Sequence, residues 1–372
     1  MANAMVMVEV NHPLQYRTDV TVDDPRQGEV RIRMASAGLC HSDQTVLEGN
    51  LPVITPIILG HEGAGFVDAI GGGVDGLAVG DRVLITSGYQ CHSCFTCLRG
   101  QPWLCETAGA ASSAGGMLDG STRSMSGGLP LRQLAMSGTF AELLVVPAPK
   151  VFRVPDAMPL KTASLIGCGV LTGIGAALNT CEIRPGDSVA IIGCGGVGLN
   201  VVQGARIACA QMIIAIDTSS TKLERARTFG ATHAIDASRQ EVEATVSELT
   251  ETRGVDAAFE VIGLKSTMEQ ALAITRRGGQ MVLVGVPPRG ELLNIQALPM
   301  LISQSKTIRG CWFGSSDVNR DVPRCFDLYE SGELKLDELV SATIGLSEIN
   351  DAFGAMPTSD FIRTVVDFSQ SR

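Results

Sequence analysis

Four cysteines, Cys91, Cys94, Cys97 and Cys105, fall in one short stretch with two, two and seven residues between them. A loop of that spacing folds four sulfurs round one tetrahedral ion, and an all-sulfur tetrahedron selects zinc or an iron–sulfur cluster. With no open position, such a site is structural. What decides for zinc is a second set of ligand types. Cys40 stands in Gly38-Leu39-Cys40-His41-Ser42-Asp43, His61 in Gly60-His61-Glu62-Gly63-Ala64-Gly65, and Cys168 in Gly167-Cys168-Gly169. Two thiolates and an imidazole make three protein ligands, the number that leaves a catalytic zinc one open place. Each of the three alone would more often be a buried thiol or a satisfied histidine, so the case rests on the set. Glu62 and Asp43 are candidates to orient the ligands, because a metal-bound imidazole needs an acceptor on its other nitrogen.

A third constellation lies further on. An apolar run at residues 188–193 leads into Gly193-Cys194-Gly195-Gly196-Val197-Gly198, and the next apolar run, 212–217, ends on Asp217. Alone, Gly-x-Gly-x-x-Gly is weak; with a strand before it, a helix after it and an acid at the tip of the second strand, it is a dinucleotide fingerprint. The glycines allow a tight turn and bring pyrophosphate to a helix N-terminus, and Asp217 accepts hydrogen bonds from the adenosine ribose. A carboxylate there repels a 2′-phosphate, which favours NAD over NADP.

The elements that must hold these residues are of two kinds. Up to about residue 90, short β-branched runs (6–10, 29–34, 65–70, 82–86) broken by Gly and Pro predict a small antiparallel, barrel-like β domain, with a short helix over 43–48. Residues 106–140, rich in Gly, Ser and Met, read as an elaborated loop. Strand character returns at 139–146 and 150–154, followed by a helix over 163–179 around Cys168 and Thr172. From Asp187 the texture alternates: apolar strands at 188–193, 212–217, 257–263 and 280–286, with helices at 199–210, 222–229, 242–250 and 267–276. That pattern is a doubly wound α/β domain. Past about 310 come helices at 322–331 and 336–339 and a β-like 364–368, a tail expected to return to the first domain. The domains are thus 1–169 with 313–372, and 170–312.

The whole-chain quantities fit this picture. A length of 372 residues, with 45% hydrophobic and 18% charged, is ordinary for about two globular domains. A net charge of −10 argues against nucleic acid or an anionic membrane surface as partner. Eleven cysteines, most of them in metal-like sites, point to a reducing compartment. Cys181, Cys194, Cys209, Cys311 and Cys325 read as small packed thiols. With no basic-then-apolar start and no long apolar run, a cytoplasmic, soluble protein is expected.

Taken together, these sites resemble the zinc-containing medium-chain dehydrogenases, relatives of liver alcohol dehydrogenase, over essentially the whole chain. The Gly60-His61-Glu62 signature, with Gly65, Gly71 and Val74 in register, is its most specific part. The resemblance implies a GroES-like catalytic domain built from both chain ends and a Rossmann domain that dimerises through its edge strand, so a homodimer is expected, with a tetramer as the alternative. It implies two zincs per chain, the catalytic one on Cys40, His61 and Cys168 and the structural one on Cys91, Cys94, Cys97 and Cys105. It also makes Ser42 the hydroxyl that relays the alcohol proton, sets Thr172 and Asp43 near zinc and nicotinamide, gives His41 and Arg363 the pyrophosphate, and gives Asp217 and Lys222 the adenosine ribose. Thr45 stands where many relatives carry a relay histidine.

The activity so implied is hydride transfer between a primary or aryl alcohol, or its aldehyde, and NAD. A thiol-adduct formaldehyde dehydrogenase would share every one of these residues, and residues 163–236 look especially like that group and the neighbouring bacterial aryl and primary alcohol dehydrogenases. A zinc- and nucleotide-binding sensor without activity is the third reading; Ser42, Thr172 and the open zinc position argue against it.

Overall fold

The computed structural model describes residues 1–356 and 360–371, and divides them between two compact units. One comprises Met1–Cys168, Asp317–Glu330 and Leu336–Arg372; the other comprises Gly169–Ser316 and Ser331–Lys335.

In the first unit, β1 (Ala2–Met7), β2 (Gln15–Val22), β3 (Glu29–Gly38), β4 (Ile57–Ile58), β5 (Gly63–Ile70), β6 (Arg82–Ile85), β7 (Ser124–Ser126), β8 (Leu129–Gln133), β9 (Leu143–Pro147) and β10 (Val151–Arg153) precede the crossing into the second unit. β1, β2, β7, β8 and β4 close a barrel, and β10, β6, β5 and β3 run on into the C-terminal strands as a seven-stranded sheet, with β9 on β3. Between barrel and sheet lies a core of Met5, Met7, Ile32, Ile57, Leu59, Val67, Ile85 and Phe140, all but fully buried. The first strand runs earlier than residues 6–10. Ala2, Ala4, Met5, Val6 and Met7 are buried, whereas Val8 and Val10, beyond the strand's end at Met7, are exposed, and Asn11 has φ 60°.

Residues 106–140 are not a loop. A helix, Glu106–Ala114, and the β7–β8 hairpin occupy them. What Gly and Ser composition hides is an ion cluster: Arg123, 1% exposed, donates to both oxygens of Glu29 and to Asp119 at 2.9 Å. Nor is 163–179 one helix. Leu160–Ala163 and a 3-10 turn end at Cys168, whose φ −145° and ψ −69° are not helical, and Gly169–Gly175 begins anew. Past residue 330, β17 (Val340–Ile344) was not anticipated, while β18 (Arg363–Asp367) lies where β character was expected; β18 pairs with β17 and antiparallel with β3. In the chain, the second unit's strands β11 to β16 come before these two.

That unit is a parallel sheet of β11 (Ser188–Ile192), β12 (Met212–Asp217), β13 (His233–Asp236), β14 (Val255–Glu260), β15 (Thr275–Leu283) and β16 (Thr307–Gly310), in the order β13-β12-β11-β14-β15-β16. The helices Gly196–Ile207, Ser220–Phe229, Val242–Leu249 and Lys265–Ile274 connect the strands. Numbered within the unit, the order is 3-2-1-4-5-6, the doubly wound dinucleotide-binding arrangement. Short β13 and β16 escaped the sequence reading because each supplies only one core side chain, Ile235 and Ile308. All eleven cysteines are free thiols. Cys181, Cys194 and Cys325 are packed as expected, but Cys209 is exposed: at φ 62° it closes the turn after helix Gly196–Ile207, bonding its N–H to the Arg206 carbonyl.

Candidate zinc and dinucleotide sites

β3 delivers Cys40 to the N-terminus of helix His41–Leu47, the turn before β5 delivers His61, and the break between two helical pieces delivers Cys168. Their ligand atoms, with a Glu62 oxygen, lie within 4.8 Å of one another. Placing His61 requires a glycine before it. Gly60 has φ 86°, and a side chain there would meet Thr139 Oγ1 at 2.5 Å and the Phe140 nitrogen at 2.9 Å. Asp43, wholly buried, accepts from the Gly60 N–H at 2.9 Å and holds His61 Nδ1 at 3.1 Å through the same oxygen. Nε2 is thereby the nitrogen left for an ion, an arrangement usual behind a metal-bound imidazole.

The charges agree with a cation site. A hydrogen bond from Cys168, outweighing burial and helped by His61 and Arg363, holds the Cys40 thiol well below its usual range. Cys168, as the donor in that bond and partly desolvated, is pushed well above it. Burial pulls His61 down, yet Asp43 and Cys168 raise it well above the ordinary imidazole value. Two thiols competing for one negative charge, with an imidazole beside them, is what a divalent ion resolves by taking both sulfurs as thiolates. Glu62, pushed up to about 7 by burial against the pull of Arg363, is ion-paired with that guanidinium, which β18 brings in. Arg363 is thus buried on Glu62, and its Nε has no hydrogen-bond partner among the described residues.

Ser42 is partly exposed two residues beyond Cys40, and His41 is exposed at the helix start. The Thr45 hydroxyl donates to the His41 carbonyl at 2.8 Å. Thr172 is a partly exposed position on the otherwise buried helix Gly169–Gly175.

The other four cysteines converge as well, all sulfurs within 4.8 Å. Cys91 to Cys97 and Cys94 to Cys105 are each 4.0 Å between sulfurs, where a tetrahedron of ~2.3 Å zinc–sulfur bonds puts neighbouring sulfurs about 3.8 Å apart. Backbone N–H groups of Ser93 and Cys94 point at Cys91 Sγ, and that of Cys91 at Cys105 Sγ. The Ser93 hydroxyl brings Cys91 down to about 5 and the Thr96 hydroxyl brings Cys94 to about 7, while burial and the hydrogen bond to Cys94 push Cys97 up to about 12. Four thiols cannot all ionise together unless a cation sits among them.

In the second unit the fingerprint has its expected surroundings. Gly193 follows β11 at φ 99°, and a side chain at Gly198 would stand 1.8 Å from its carbonyl oxygen, so the turn tolerates neither. Gly195 faces open space, and Gly196 and Val197 begin helix Gly196–Ile207. Asp217 ends β12 and accepts from the Cys194 N–H at 2.8 Å and the Ser219 N–H at 2.9 Å. Each oxygen keeps a lone pair for a ribose hydroxyl. Lys222 lies in the first turn of the next helix, whose Ser219 cap accepts from its N–H. Helix N-terminus, open glycine and carboxylate fit a dinucleotide. No motif marks Glu260, which ends β14 fully buried; its only sequence signal is an acid closing an apolar run.

Comparison with known proteins finds the same two domain types. Residues 26–156 match the family described as alcohol dehydrogenase GroES-like domain, and residues 196–331 the zinc-binding dehydrogenase family. The chain is 37% identical over 365 residues to the NDMA-dependent alcohol dehydrogenase of Amycolatopsis methanolica, with 98% of each covered. It is 36% identical over 372 residues to the S-(hydroxymethyl)glutathione dehydrogenase of Paracoccus denitrificans, again with 98% of each covered. Benzyl alcohol dehydrogenase from Acinetobacter calcoaceticus superposes with a TM-score of 0.92 at 28% identity, over 98% of this chain and 99% of that one.

Proposed function

Because the chain belongs to the zinc-containing medium-chain dehydrogenase family, we propose that Cys40, His61 and Cys168 hold a catalytic zinc, that Cys91, Cys94, Cys97 and Cys105 hold a structural one, and that the cofactor is NAD. The protein is an oxidoreductase that moves a hydride between an alcohol or aldehyde and a nicotinamide cofactor. The observation that carries the site assignment is the meeting of two thiols and an imidazole, with Asp43 fixing the imidazole's far nitrogen.

Zinc supplies a Lewis acid that lowers the pKa of a hydroxyl. Everything else falls to the chain's residues. Asp43 sets the His61 ring and anchors the turn that carries it. Ser42 receives the alcohol proton and passes it outward. Thr45 has no basic group and its own proton is committed to the His41 carbonyl, so the proton leaves to water. Glu62 and Arg363 keep a charge pair beside the ligands, and Arg363, with His41, takes the pyrophosphate. Asp217 and Lys222 take the adenosine ribose, and Thr172 lies by the nicotinamide. The unit built from both chain ends carries the zinc chemistry and the other binds the cofactor; the assembly is a cytoplasmic homodimer.

The substrate class we favour is primary or aryl alcohols, supported by the benzyl alcohol dehydrogenase likeness; the S-(hydroxymethyl)glutathione dehydrogenase likeness supports a thiol adduct of formaldehyde as the second reading. NAD reduction with ethanol, benzyl alcohol, a terpene alcohol, and formaldehyde with and without a low-molecular-weight thiol separates them. Activity on formaldehyde only with thiol, and none on simple alcohols, selects the second. In the same assay Asp217→Gly raises the relative use of NADP; a wild type equally efficient with both cofactors removes the assignment of Asp217.

A further inference from the structure

Glu260 is a fully buried carboxylate that neither zinc site nor the glycine-rich turn accounts for. It ends β14, in register with Ile192 at the end of β11, and so stands at the point where the strand order reverses. Open α/β sheets bind their ligands there, outside the carboxyl ends of the strands. Oε1 accepts from the N–H groups of Ile262 at 2.9 Å and Gly263 at 2.8 Å, and the Thr267 hydroxyl lies 2.8 Å away, its one proton shared between Oε1 and the Leu264 carbonyl, also at 2.8 Å. The Glu260 carbonyl accepts from Val284 at 2.8 Å and Gly285 at 3.0 Å. One residue therefore holds both the turn after β14 and the turn after β15.

Those turns touch with no space to spare. A side chain at Gly285 would meet the Gly263 nitrogen at 2.2 Å and Glu260 Oε2 at 2.8 Å, and one at Gly263, where φ is 93°, the Val286 carbonyl at 2.5 Å. Ile262 in turn packs where a side chain on Gly193 would be, 2.6 Å from Ile262 Cγ1, so the same turn braces the first glycine of the fingerprint. Glu260 Oε2 has no hydrogen-bond partner among the described residues. A buried oxygen left unpaired costs stability, a cost that folds keep where a site needs it.

The sheet consists of two mononucleotide-binding halves. β11 to β13 carry the turn at Gly193 and Asp217, which suit the adenosine half of a dinucleotide, and leave β14 to β16 for the other half. We infer that Glu260 is a positioning residue for the nicotinamide half of the cofactor: it fixes the turns at 261–263 and 284–286, whose Ile262 and Val286 side chains are exposed at the strand ends. This rests on the NAD reading above.

The test compares NAD with ADP-ribose, which keeps the adenosine half and lacks the nicotinamide, by calorimetry on the full-length protein. Glu260→Gln weakens NAD binding about tenfold, as losing the charge from hydrogen bonds to a carboxylate does, and leaves ADP-ribose affinity within about twofold. Thr267→Val, which removes a single donor and keeps the carboxylate, gives the same selectivity with a smaller loss. If either folded variant loses affinity for both ligands equally, or for neither, Glu260 only supports the fold and the inference is overturned. Failure of the unmodified protein to bind ADP-ribose overturns the cofactor reading itself, and this inference with it; binding of ADP-ribose with no selective loss overturns this inference alone.

Discussion

At the proposed catalytic zinc site, Asp43 does what the three ligands cannot do for themselves. One of its oxygens serves two partners, the Gly60 N–H and His61 Nδ1, while the other has no hydrogen-bond partner among the described residues, in a place where no water reaches the side chain. An acceptor behind an imidazole ligand fixes its tautomer and raises its basicity, and its loss typically costs about 10–100-fold in metal affinity. Asp43→Asn keeps the shape and removes the charge. A chromophoric chelator should therefore strip the Cys40–His61–Cys168 site of this variant about 10–100-fold more readily, while the four-cysteine site releases its ion as in the wild type. Equal retention at both sites would remove Asp43 from the role. The residues of this site could be read from sequence because their types are rare and their motifs short; Asp43 stands three residues from a ligand. Glu260 could not be read, because its partners are backbone groups, which no pattern of side chains encodes.

At the scale of elements the same distinction holds. Parallel strands β11, β12, β14 and β15 were legible because both faces are buried and the chain answers with unbroken apolar runs. The 106–140 segment was not, because charges buried by distant partners order it. Arg123 and Glu29 are 94 positions apart, and nothing local in a Gly- and Ser-rich stretch announces such a pair. Lys150 is a second case. It is fully buried, and its ammonium reaches the carbonyls of Ser87 and Ala135 and the Ser137 hydroxyl at 2.8 Å, tying the turn after β8 to the strand end before Ser87. Burial pulls it down to about 7 from an ordinary 10.5. Below pH 7 the group is protonated folded and unfolded alike, so it adds no slope; between pH 7 and 10.5 the unfolded chain binds more protons, and stability must rise with pH. Relative to Lys150→Met, the wild type should thus gain roughly 2–3 kcal/mol between pH 7 and 9, read from urea midpoints. A difference that stays flat or falls over that range would show the ammonium to be stabilised by its three acceptors instead.

For the whole molecule the open question is what covers the edge of the second unit's sheet. Among the described residues β16 pairs only with β15, so one side of its ladder is unpaired, and an edge left bare invites another strand. The turn just before it, Ala297–Ile302, exposes Leu298 by 66% and Ile302 by 65%, and Leu292 is exposed by 73%. Exposed apolar side chains on the segment that leads into an unpaired edge strand suit an isologous interface, in which β16 of one copy meets β16 of another about a twofold axis and the two sheets become one. Charges there meet like charges across the axis, so a single change acts twice. Leu298→Glu with Ile302→Glu should convert a dimer into a monomer at micromolar concentration in analytical ultracentrifugation, with a lowered and newly concentration-independent melting temperature. Both proposed zincs should be retained, because the residues assigned to them lie in the other unit and in no part of this edge. A wild type that sediments as a monomer, or a double variant that stays dimeric, would place the interface elsewhere or abolish it.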